Sequence, residues 1–127
     1  VVGKVGPKSL AAKALAEKNG FRFLEQIDPF DGGPHFGCKL QDITCVKNTF
    51  LAQAQCMRTN KPEANFFKTM RQSRGLVALA ENAPANFLSL ETDAYFTKDR
   101  KDIFLDEAIF AQLKIKKDDR VAFLPYP

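Results

Sequence analysis

The chain has 127 residues, 45% hydrophobic and 27% charged, with a formal net charge of +4. Those proportions exclude collagen-like, low-complexity and wholly disordered chains, and no apolar run approaches the roughly 20 residues of a membrane-spanning helix. The mild basicity is compatible with an anionic ligand, but does not by itself define a nucleic-acid surface. The sequence opens at Val1-Val2-Gly3-Lys4-Val5, with no initiator Met and no signal-peptide pattern. These residues read like the interior of a fold, so a C-terminal portion of a longer protein is expected. Cysteine is sparse and odd in number, at Cys38, Cys45 and Cys56, which points to a reducing, cytoplasmic compartment.

Pro7 to Asn19 reads as a helix. Pro7 suits a first helical position and Gly6 the N-cap. Leu10, Ala11, Ala14 and Leu15 form one apolar face, and Gly20 provides a left-handed stop, with Phe21 folding back on the last turn. Phe21 to Ile27 alternates as a strand. Asp28-Pro29-Phe30-Asp31-Gly32-Gly33-Pro34 then forms a structured turn. His35 to Leu40 and Ile43 to Ala54 read as two further strands.

Asn60 to Gln72 reads as a short helix with Phe66, Phe67 and Met70 on one side. Leu76 to Ala80 and Ala85 to Leu90 read as short strands around the Asn82-Ala83-Pro84 break. Near the end the pattern is sharpest. Ile103 to Leu105 is a strand, and Asp106 caps a short helix carrying Ala108, Ile109 and Leu113. Ile115 to Arg120 turns, and Val121 to Leu124 closes as a strand. The fold class expected is α+β, mainly β: a helix–strand region over 1–36, then a small barrel-like extension over 37–127.

Two stretches carry a resemblance. Ala14 to Phe21, a helix ending in a Gly-Phe step, looks like the last helix and following strand of the GNAT acyltransferase fold. Val1 to Pro7 before it and Ile27 to Pro34 after it resemble the C-terminal third of bacterial arginine N-succinyltransferases. The tail, from Leu105-Asp106 through Leu113-Lys114-Ile115 to Asp118-Asp119-Arg120-Val121, resembles that family's ending. The resemblance implies a parent enzyme that moves a succinyl group from succinyl-CoA to the α-amine of L-arginine in arginine catabolism. It implies a GNAT-like remnant followed by a β-barrel extension, with homo- or hetero-oligomeric assembly open. The tail pattern also recurs in double-psi and swapped-hairpin barrels.

The resemblance also implies a histidine within the Val-x-Pro step, assigned as a proton donor; this chain has Gly6 there. It implies an acyl-CoA pyrophosphate loop of Arg/Gln-x-x-Gly-x-Gly/Ala type, which these residues do not contain. The chain alone is therefore expected to bind no cofactor and to be inactive, with succinyl-CoA a co-substrate of the parent. The resemblance implies L-arginine as the acceptor, while the residues themselves leave arginine, ornithine or neither open.

His35 is the sole histidine, and an imidazole can take a proton from an attacking amine, so it is the candidate general base; a hydrogen-bonded turn residue is the plainer reading. Asp28 and Asp31 are candidates to pair with a substrate guanidinium, or simply to bond their own turn. Gly32-Gly33 lacks both phosphate-loop spacings and reads as a tight turn. No metal-ligand spacing is present, and Cys38 and Cys45 are expected to face a core. Basic residues gather at Lys68-Arg71-Arg74, Lys98-Arg100-Lys101 and Lys114-Lys116-Lys117-Arg120; acidic neighbours such as Asp99 and Asp118 dilute the last two. A solvated surface explains them, and a phosphate-contacting face is the sharper alternative. Twelve phenylalanines and no tryptophan suggest core packing rather than base stacking. The alternative to an enzyme is a non-catalytic binding or assembly module.

Overall fold

The computed structural model describes residues 3–57, 65, 67–81 and 87–127. The chain forms two compact units, Val1–Asn48 and Thr49–Pro127. Residues 37–48, expected with the second region, thus belong to the first.

In the first unit, Pro7–Ser9 makes a 3-10 turn that leads into α1 (Leu10–Lys18). Ser9 N–H donates to Gly6 O at 2.9 Å, so Gly6 opens the helix through its carbonyl. The stop is a Schellman closure: Phe21 N–H donates to Ala16 O at 3.0 Å and Gly20 N–H to Glu17 O at 3.1 Å. Gly20 has φ +93°, and a Cβ there would run into the Asp42 carbonyl oxygen, so only glycine fits. Strand β1 (Arg22–Ile27) pairs antiparallel with β2 (Pro34–Gly37). The strand expected from His35 to Leu40 ends early, because Leu40–Asp42 forms a 3-10 turn.

The strand expected from Ile43 is instead a helix at its start, α2 (Thr44–Asn48). Thr44 explains this: its N–H donates to Asn19 O at 3.1 Å and its hydroxyl to Lys18 O at 3.2 Å, tying the segment to the end of α1. No residue described in α1, β1, β2 or α2 is buried, and Leu10, Leu15, Leu24, Ile27, Phe30 and Leu40 are exposed. The apolar face read into α1 is therefore a surface. Cys45 is exposed and Cys38 half-buried, so the expected core position of the pair is corrected.

The second unit is a closed barrel of five strands in the order β3-β6-β5-β4-β7. These are β3 (Phe50–Met57), β4 (Arg71–Leu79), β5 (Ser89–Phe96), β6 (Asp102–Asp106) and β7 (Arg120–Pro125). All neighbours are antiparallel except β3 and β6, and β3–β7 pairing closes the ring. Residues 60–64 and 66 of the expected 60–72 helix lie outside the described residues, and Phe67–Thr69 is a 3-10 turn. The end of the expected helix is a correction, since Arg71 and Gln72 pair with Phe96 and Tyr95 as strand. The strands expected at 76–80 and 85–90 are β4 and β5, both longer or shifted along the chain; 82–86 lie outside the described residues.

Inward positions alternate along every barrel strand, as a half-buried strand requires. They carry Ala52, Ala54, Val77, Ala94, Phe96, Ile103, Leu105, Val121 and Phe123. Small and large side chains alternate to fill so narrow a ring. Gly75 belongs to the same logic: a Cβ there would strike the Leu124 carbonyl and the Phe123 ring. The helix α3 (Glu107–Leu113) covers one end, with Leu113 and the following Ile115 buried in the same core. Asp106 caps it as expected, accepting from Ala108 N–H at 2.9 Å. Lys114, left-handed at φ 54°, ends it.

Candidate functional site

The turn between β1 and β2 organises the candidate residues. Asp28 Oδ1 accepts from Phe30 N–H at 2.7 Å and from Asp31 N–H at 3.2 Å. Asp31 Oδ1 accepts from Gly33 N–H at 2.7 Å, and Gly32 N–H donates to Asp28 O at 2.9 Å. These are side-chain turns of the kind aspartates make with their own backbone. The Gly32 and Gly33 amides are therefore committed to the turn and do not form a phosphate cradle.

The second oxygen of Asp28 faces His35. Asp28 Oδ2 lies 3.4 Å from His35 Nε2, with 34% and 39% of the two side chains exposed. The Phe30 amide, then the His35 ring, holds the Asp28 carboxyl below the ordinary carboxylate range. Asp28 is thus ionised at neutral pH. It can fix the tautomer of His35 by accepting from Nε2–H, which leaves Nδ1 as the proton acceptor.

The register of the hairpin presents His35. Phe23 pairs with Phe36 and Ile27 with Pro34, so Leu24, Glu25 and Gln26 bulge opposite the single residue His35. Glu25 carries φ 54°, a left-handed conformation uncommon for a non-glycine residue. Bulges leave extra residues unpaired and bend the strand that carries them, here β1 opposite His35. Nothing in the sequence signals this one, because Glu25 has no special turn propensity.

A groove of about 420 Å³ runs beside the strand pair, lined by Gly20, Arg22, Leu24, Gly37, Cys38, Lys39 and Asp42. His35 and Asp28 are not among its lining residues. Gly6 has φ −66°, and a Cβ there would meet nothing within 4 Å. The backbone at this position therefore accepts any side chain, a histidine included. Among the described residues no group of His, Cys, Asp and Glu could hold a metal ion. No helix among them is long and apolar enough to cross a membrane.

The chain thus joins a helix–hairpin unit, whose turn holds a carboxylate–imidazole pair, to a closed five-stranded barrel. Residues 1–45 match the family model described as arginine N-succinyltransferase beta subunit. Over 53 residues the chain is 38% identical to the arginine N-succinyltransferase of Escherichia coli O1:K1, a match spanning 42% of this chain and 15% of that relative. The enzymes of Salmonella arizonae and Shigella boydii serotype 18 match to the same extent. The solved structure of arginine/ornithine succinyltransferase subunit AI from Pseudomonas aeruginosa superposes on 98% of this chain with a TM-score of 0.64, at 17% identity. This chain covers 33% of that structure, and the likeness is one of fold.

Proposed function

We propose that this chain is part of an acyltransferase of the arginine N-succinyltransferase type, which transfers succinyl from succinyl-CoA to the α-amine of L-arginine in bacterial arginine catabolism. The observation that carries this reading is the family match over residues 1–45, which encloses α1, the β1–β2 hairpin and the Asp28–His35 pair. The β1–β2 region is read as a GNAT-like remnant and the barrel as its C-terminal extension. The names "beta subunit" and "subunit AI" among the similar proteins support assembly with a further subunit or copy. The reaction is read as cytoplasmic.

In the proposed reaction the substrate amine nitrogen bonds to the thioester carbonyl carbon. The carbon–sulfur bond then breaks, coenzyme A leaves with the electron pair, and the amine proton passes to a base. His35 Nδ1 is proposed as that base, with Asp28 as its positioning residue. Asp31, exposed at the turn, is proposed to face the substrate guanidinium, a pairing suited to bidentate bonds. The acyl-CoA pyrophosphate would be held by residues outside this chain, which contains no Arg/Gln-x-x-Gly-x-Gly/Ala loop. The chain alone is therefore proposed to be inactive.

A second reading, a non-catalytic binding or assembly module, is favoured by one observation: Gly6 stands where the family resemblance implies a proton-donating histidine. Succinyl-CoA-dependent acylation of L-arginine and L-ornithine by the longer protein separates the two. Activity in the longer protein, silence in the 127-residue chain and a loss of about 10²–10⁴-fold in His35→Ala support the enzyme and its base. Silence of the longer protein with both acceptors, unrelieved by Gly6→His, establishes the module reading.

A further inference from the structure

Three basic residues of the barrel, Arg100, Lys101 and Arg120, line one groove that the acyl-transfer reading leaves unused. This groove, of about 520 Å³, is lined by Phe50, Leu51, Gln53, Arg100, Lys101 and Arg120, with Ala52 and Asp99 completing the wall. It lies wholly in the unit Thr49–Pro127, beyond the segment that the family model matches.

The strand pairing fixes where the backbones of these residues lie. Gln53 is the centre. Its N–H donates to Lys101 O at 2.8 Å, and it pairs with Arg120 across β3 and β7. Lys101 and Arg120 therefore flank one strand, with backbones about 10 Å apart, two inter-strand spacings. Arg100 comes from the turn between β5 and β6. There Thr97 Oγ1 donates to Asp99 Oδ1 at 2.6 Å, Lys101 N–H donates to the same oxygen at 3.1 Å, and Arg100 N–H donates to Thr97 O at 2.9 Å. Arg100 is left-handed at φ 58°. Its guanidinium lies 5.0 Å from the centroid of the Phe50 ring, within cation–π range. Phe50 is in turn packed against Phe96 and Phe123 at 5.1 and 5.7 Å.

The acidic groups nearby are already engaged. Asp99 is occupied by Thr97 and Lys101, and the Thr97 hydroxyl holds its carboxyl below the ordinary range. Glu81 accepts from Arg120 Nη1 at 2.7 Å, an exposed pair. A guanidinium has five N–H donors, so Arg120 keeps others for a second anion. Asp102, at the start of β6, and Asp118, in the turn before β7, both accept from Gln55 Nε2.

We infer that this groove binds the phosphate groups of a phosphorylated small molecule, with Arg100, Lys101 and Arg120 as the ligating cations. The inference does not depend on the acyl-transfer reading. Forked guanidiniums and a compact ammonium beside the Phe50 ring suit tetrahedral oxyanions bridged between sites, as in a diphosphate.

The test is a titration of the 127-residue chain with inorganic pyrophosphate and, in a second arm, ADP, followed by amide chemical shifts. Saturable shifts at Gln53, Arg100, Lys101 and Arg120, weakening with salt, are expected for both probes. Tighter binding of ADP assigns the phosphate to a nucleotide; equal binding assigns it to the diphosphate group alone. Arg100→Ala and Lys101→Ala are each expected to weaken binding about tenfold, and Glu81→Gln to tighten it. All are exposed positions, and an unchanged amide spectrum elsewhere shows that the fold is kept. Absence of saturation with both probes, or binding unchanged in Arg100→Ala and Lys101→Ala, overturns the inference.

Discussion

The two units reach order by opposite means. In Thr49–Pro127 the side chains of Val77, Ile103, Leu105, Val121 and Phe123 are completely enclosed, and a ring of strands leaves no open edge. In Val1–Asn48 no described residue is buried, and the unit is held by capping bonds, turn bonds and one two-stranded ladder. A lone hairpin is marginal in water. The lesson is that the barrel carries the stability, while the hairpin unit carries the residues shared with the succinyltransferase family. The candidate base thus belongs to the part with the least intrinsic rigidity, and its precision rests on the Asp28 turn.

The comparison can be broken most forcefully in the barrel. Phe123→Ala, at a fully buried site, is expected to cost about 3–5 kcal/mol, read as a drop in the urea midpoint by circular dichroism. Gly20→Ala comes next. It forces a Cβ into the Asp42 carbonyl at φ +93° and is expected to cost about 1–3 kcal/mol, seen as faster amide exchange confined to residues 3–48. Asp106→Ala removes the cap of α3 and should cost about 1 kcal/mol in the barrel transition. Leu15→Ala, at an exposed apolar side chain, should shift stability by no more than about 0.5 kcal/mol. A larger effect would show that α1 has a partner in solution and sharpen the contrast between the units.

The smallest effect expected is a pH effect. The folded Asp28 carboxyl titrates below its ordinary value of 3.8, chiefly through the Phe30 amide and then His35. Its support for the turn is complete above that value and is lost as pH falls through the lower folded one. Amide shifts of Phe30 and Asp31 should therefore hold steady down to pH 4 and move only below it, and Asp28→Asn should remove that acid transition.

What the sequence made legible was local. The Gly20 stop, the 28–34 turn and the Asp106-capped helix followed by a strand all depend on neighbours within a few residues. What it hid was set by distance. Residues 44–48 read as strand until Asn19 O and Lys18 O draw Thr44 into a helical turn. Arg71 and Gln72 read as helix until β5 claims them. At the site, Asp28, Asp31 and His35 were each visible as residue types, but not the contact that joins Asp28 to His35, nor the bulge at Glu25 that lies opposite His35. The tail likeness to the family is supported by fold alone, since the family match ends at residue 45.

The parallel pairing of β3 with β6 has a consequence for synthesis. β3 leaves the ribosome first among the barrel strands, yet both its neighbours, β6 and β7, come after β4 and β5. Until then its two edges and the apolar row of Phe50, Ala52 and Ala54 wait unpaired. A barrel closed by its earliest strand folds late and by long-range contacts, the slow regime of chain topology. A pause or truncation before Arg120 would leave β3 as an exposed template for the same strand of another chain.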